Sequence, residues 1–140
     1  MRTAAWWMAA GLWLAAGSTA VQAAEEVHFT VDTARSTPEL KVGDKGVLSM
    51  VINPGPGKKV HDQAPLSIAL KPGKGVTLAK AKLGHADVAN KGAKSPEFTV
   101  EVTATAPGAQ TTEAEMQFFI CTDKWCERMQ HRVTITTTVK

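Results

Sequence analysis

Two cysteines, Cys121 and Cys126, are the only ones in the 140-residue chain, and four residues, Thr122-Asp123-Lys124-Trp125, lie between them. Sulfurs this close form a lasting cystine or exchange with a partner's sulfurs. In exchange, a thiolate attacks, a mixed disulfide forms and a second thiol resolves it, so two adjacent cysteines are the minimum equipment. The neighbouring charges do not select the attacker: Lys124 and Arg128 favour a thiolate, while Asp123 and Glu127 oppose it. Trp125, next to Cys126, can shield the pair, form a docking surface or fold onto the outer face of a sheet.

No other chemistry stands out as clearly. His28, His61, His85 and His131 include no two at a metal-ligand spacing, so neither a metal nor a cofactor is expected. Copper(I) held by Cys121, Cys126, Met129 and a histidine is a lesser alternative, since soft ligands suit that ion. His61-Asp62 lies in a Pro/Gly-rich stretch that is either a cap over the cysteines or a solvated loop. There is no nucleophile elbow and no phosphate-binding glycine loop.

The N-terminus bears on the compartment. Arg2, an uncharged apolar run over 4–16 and Val21-Gln22-Ala23 make a secretory signal peptide, with cleavage expected after Ala23. The division is then 1–23 signal peptide and 24–140 one domain in the periplasm or secreted, with no membrane span in the mature chain. Cleavage removes Trp6, Trp7 and Trp13, which leaves Trp125 as the sole tryptophan. It also removes the charge of Arg2, so +3 becomes +2; charges of both signs are interspersed, and no nucleic-acid partner is expected. Paired cysteines suit an oxidising compartment.

The elements that must hold the pair are strands. Val and Thr are plentiful, and Gly and Pro punctuate them. Strands are expected over 27–32, 40–42, 46–53, 66–71 and 76–83, then a loop over 84–96. The last third alternates plainly: Phe98, Val100, Val102 and Ala104 face one way, as do Ala114, Met116, Phe118 and Ile120, and then Val133, Ile135, Thr137 and Val139. Period-two alternation means one buried and one wet face, which antiparallel sheets allow. About seven short strands without a good helix predict an all-β, antiparallel, immunoglobulin-like β-sandwich, with a small open barrel as runner-up.

On that frame the cysteines close a hairpin. Residues opposed across antiparallel strands have Cα atoms roughly 4.5–5.5 Å apart, a spacing that disulfides accept. With Ile120, Val133 and Ile135 inward, the parity turns Cys121 and Cys126 to the wet face unless a bulge intervenes. Closing so short a loop stabilises by only about 2 kcal/mol, so the place is poor for stapling and good for access.

Cys121-Thr122-Asp123-Lys124-Trp125-Cys126, with Lys59-Val60-His61 and Ala64-Pro65-Leu66 upstream, resembles the N-terminal periplasmic domain of DsbD-type thiol:disulfide interchange proteins and the related single-domain disulfide correctors. The resemblance covers roughly 46–139 and departs at Glu127-Arg128-Met129, where the family often has prolines, and at Val60, where it has an aromatic residue. It implies a redox-active Cys121 and Cys126, with Cys126 attacking the partner and Cys121 resolving. It also implies contacts at Trp125, His61 and Asp123, a membrane reductase or thioredoxin-like electron donor as a separate protein, and a periplasmic disulfide client. The alternative is a non-catalytic exported interaction domain with a structural hairpin disulfide.

Overall fold

The computed structural model describes residues 28–140. The signal segment, its cleavage point and the expected strand start at Val27 lie outside the described residues. Ten strands follow in order: β1 (Phe29–Asp32), β2 (Glu39–Leu40), β3 (Lys45–Pro54), β4 (Lys59–Val60), β5 (Ser67–Pro72), β6 (Val76–Leu78), β7 (Lys82–Leu83), β8 (Glu97–Ala104), β9 (Gly108–Cys121) and β10 (Cys126–Val139). Seven of them have three residues or more. They form an immunoglobulin-like β-sandwich. One sheet runs β1-β3-β8-β6; the other runs β2-β10-β9-β5-β7, with β4 also on β9. All pairings are antiparallel except β2 with β10, which is parallel.

The expected alternation is the core. Phe98, Val100, Val102 and Ala104 of β8 are buried against Ala114, Met116, Phe118 and Ile120 of β9, with Leu48, Met50 and Ile52 of β3 beside them. Ile135, Thr137 and Val139 of β10 are buried, and Val133 is half-buried. Phe29 packs edge-on against Phe118 with ring centroids 4.9 Å apart, which ties β1 of one sheet to β9 of the other.

Three local expectations change. The single strand over 76–83 is two: β6 pairs with β8 and β7 with β5, so the chain crosses between sheets at 79–81. Weak alternation there reflects a segment that serves two sheets, and the backbone bonds Ala79 N–H to Glu101 O and Leu70 N–H to Ala81 O hold both ends. The loop over 84–96 contains a 3₁₀ turn, His85–Asp87. The Pro/Gly-rich stretch contains β4, placed by a turn in which Gly57 adopts φ +69°, a conformation costly for a residue with a Cβ.

Candidate functional site

β9 and β10 pair over fourteen residues, from Cys121↔Cys126 at the tip to Gly108↔Val139 at the base, without a bulge. The parity therefore holds along the whole hairpin, and both cysteines project from the outer face. Their sulfurs are bonded, and the Cα atoms are 4.0 Å apart. The turn beyond them is built locally. Thr122 N–H donates to Trp125 O at 2.7 Å, and the Thr122 hydroxyl oxygen accepts from the N–H groups of Lys124 and Trp125 at 3.2 Å each. A threonine that opens such a turn supplies the acceptor the tight backbone lacks.

The expectation that both sulfurs lie open to solvent needs a correction. Cys121 is buried, at 2% exposure, and Cys126 is exposed. The cause is the sheet. At Cys121, strand β9 has a neighbour on each side, β10 on one and β4 on the other, where Lys59 pairs with Cys121. At Cys126, strand β10 has β9 on one side only, because β2 reaches no further than Thr138 and Val139. Alternation in the sequence reports the face and says nothing of the strand's rank in the sheet. The small β4, which covers Cys121, has no period to announce it.

The other expected site residues spread around the tip. Trp125 is 38% exposed and meets His28 edge-on with ring centroids 5.4 Å apart, so it leans on the entry to β1. Asp123 is exposed in the turn. His61 directly follows β4 and donates its backbone N–H to Phe119 O at 2.9 Å. Its ring Nδ1 accepts from the N–H groups of Gln63 and Ala64 at 3.0 and 2.9 Å, so the imidazole organises its own loop. His61 also lines an open cleft of about 400 Å³ with Lys59, His85, Lys91 and Lys94. The copper(I) alternative needs free thiolates, and both sulfurs are bonded in the cystine.

The sequence reading named His131 but did not join it to Phe29. The His131 ring stands edge-on to Phe29 at 5.4 Å, where β10 overlies β1. Inward parity was its only signal. On the outer face, polar side chains stitch the two strands of the hairpin to each other: Arg132 reaches Glu113 at 2.8 Å and also Glu115, and Arg128 donates to Gln117 at 2.6 Å. Such exposed pairs contribute little to stability each.

No family model and no curated protein matches this chain. Solved structures of similar shape include domains 4 and 5 of the S-layer protein SbsC, at TM-score 0.45 and 18% identity over 79% of this chain. This chain spans 50% of that structure's length. A lipoprotein from Bacteroides thetaiotaomicron has TM-score 0.49 and 14% identity, covering 84% of this chain and 85% of its own. A conjugative transposon lipoprotein from Bacteroides eggerthii has TM-score 0.45 and 10% identity, covering 80% and 98%. Fold and site together define a disulfide-bonded β-sandwich domain. No helix among the described residues is long and apolar enough to cross a membrane.

Proposed function

We propose that this chain is an exported immunoglobulin-like interaction module whose cystine secures the tip of its longest hairpin. The carrying observation is the register: Cys121 and Cys126 are directly opposed at the end of an unbroken fourteen-pair ladder. The bond therefore reinforces a geometry the strands already impose. Export rests on Arg2, the apolar run over 4–16 and Val21-Gln22-Ala23, which direct the chain to the periplasm or outside the cell, where a cystine persists.

A second reading, thiol–disulfide exchange, is favoured by one specific observation. Cys126 is exposed and Cys121 is buried, so an incoming thiolate reaches one sulfur of the two. Cys126 would carry the mixed disulfide and Cys121 would leave and later resolve it, the roles that the resemblance to DsbD-type domains implies. A membrane reductase or thioredoxin-like protein and a periplasmic client would be the partners.

The reduction potential of the pair decides between the two. A value below about −300 mV marks a structural bond and supports the interaction module. A value between about −120 and −270 mV, the range of known exchange proteins, overturns it in favour of exchange.

A further inference from the structure

The free edge of β10 and the exposed sulfur of Cys126 belong to one arrangement. Thr122 and Trp125 share a backbone hydrogen bond, so the next pair out, Cys121 and Cys126, is a non-hydrogen-bonded pair, and the pattern alternates along the ladder. The even-numbered residues of β10 therefore turn their N–H and C=O groups away from β9. At the base those groups find partners: Thr138 N–H donates to Pro38 O, and Lys140 N–H to Leu40 O. From Cys126 to Thr136 no strand of the described residues lies on that side. The stretch has no proline and no bulge, devices that commonly protect an edge.

We propose that this edge receives an extended, cysteine-bearing segment of another protein, which pairs with β10 as an added strand and sets its sulfur beside Cys126. The proposal rests on the exchange reading and names how the client is recognised. Because the N–H and C=O of Cys126 point outward, the residue opposite it in an added antiparallel strand forms a hydrogen-bonded pair, with Cα atoms about 5.5 Å apart. That separation lies where disulfides form most readily. The three sulfurs then sit on three neighbouring strands of one outer face: Cys121 on β9, Cys126 on β10 and the client's on the added strand. Attack on Cys126 Sγ comes from the side opposite its bond to Cys121, the approach that displacement at sulfur requires.

The step balances without a further reagent. The client thiol gives its proton to solvent, and its sulfur's electron pair forms the bond to Cys126 Sγ. The Cys121–Cys126 bond breaks, and its electron pair departs on Cys121 Sγ as a thiolate. In this direction the client sulfur is oxidised and Cys121 is reduced; in reverse, the Cys121 thiolate attacks Cys126 Sγ and releases the client thiol, which is the resolving step that reduces a disulfide client. A second copy of this chain is a poor occupant. Set antiparallel with Cys126 opposite Cys126, it leaves the edge at its own Thr122–Trp125 turn, and the stretch from Arg128 to Thr136 stays open.

The test offers the oxidised mature protein an acetylated eight-residue peptide of valines and threonines with one central cysteine. The comparator is the same peptide N-methylated at alternate residues, which removes its strand-pairing donors on one edge. Glutathione reports on the sulfur alone. Mass spectrometry of acid-quenched samples is expected to show the unmodified peptide joined to Cys126 at least ten times faster than the methylated one. Deuterium exchange of the adduct should slow at the amides of Arg128 and Gln130, the outward-facing donors within the peptide's reach. Equal rates for the two peptides, with glutathione reacting, overturn strand addition and leave the exchange reading standing. Slowed exchange confined to 59–66 likewise overturns it. Failure of all three thiols to react at Cys126 overturns the exchange reading, and the proposal with it.

Discussion

The molecule has two long strands that lie partly unpaired at a sheet edge, β3 and β10, and it treats them differently. β1 covers β3 only from Val51 to Pro54. Beyond that point the segment after β1 takes over. The Ser36 hydroxyl accepts from Ser49 N–H at 2.8 Å and donates to Ser49 O at 3.1 Å, and Thr37 exchanges bonds with Val47 through its own N–H and hydroxyl. Ser49 ends up 1% exposed, with its hydroxyl donating to Glu97. Two short polar side chains thus act as a substitute strand. The same segment then becomes β2 and closes only the base of β10. Backbone groups left at an edge recruit a partner or water. The contrast teaches that this fold can seal an edge with a few hydroxyls, and that it has not done so beside the cystine.

The largest effect expected is one that breaks the support common to both edges. Phe118 is buried and meets Phe29 across the sandwich. Phe118→Ala should lower the unfolding free energy by about 3–5 kcal/mol, read from urea denaturation. A loss below 1 kcal/mol would mean that the two sheets do not depend on that contact.

Opening the sealed edge comes next. Ser36→Ala leaves the buried Ser49 N–H without its acceptor, which should cost about 1–3 kcal/mol. Hydrogen exchange at Ser49 should accelerate, while Arg128, Gln130, Arg132 and Thr134, which already face the open edge, keep their rates. If all five respond alike, the two edges are not independent.

The cystine follows. Reduction, or Cys126→Ala, releases a loop of about six residues and should cost about 2 kcal/mol or less on the chain-entropy model. The β-sheet circular dichroism spectrum is expected to survive at room temperature, and Trp125 emission should rise on reduction because a neighbouring disulfide quenches an indole. Unfolding on reduction would show that the ladder does not hold the tip by itself.

The smallest effect lies away from both edges, at the 3₁₀ turn. A hydrogen bond from Lys80, and then one from Gly84 N–H, hold the Asp87 carboxyl below its ordinary range. A depressed folded-state value means that the stabilisation is present above the unfolded-state value, near 4, and fades as pH falls through the lower folded one. An NMR titration should find the Asp87 midpoint below that of a free aspartate, and Lys80→Met should raise it. An unchanged midpoint in the variant would remove Lys80 as the cause.

Much of this architecture was legible in the residues. Period-two alternation in 98–104, 114–120 and 133–139 identified three strands and the faces they bury, because a strand's side-chain period is intrinsic to its backbone. The four-residue spacing of Cys121 and Cys126 identified the hairpin, since opposed residues fall within bonding distance. The outward parity of both cysteines followed from Ile120 and Ile135 for the same reason.

Rank within the sheet was decided only in three dimensions. Nothing local tells β10 that it is an edge strand or β9 that it is central, and this rank buries Cys121 while it exposes Cys126. Two-residue strands such as β4 carry no period, so the partner that covers Cys121 emerges only when distant backbone meets. The substitution of Ser36 and Thr37 for a strand, and the meeting of His28 with Trp125, likewise join positions far apart in the chain. Faces are a property of consecutive residues and were determined by the sequence alone; neighbours across the sheet are a property of chain return, and tertiary structure had to supply them.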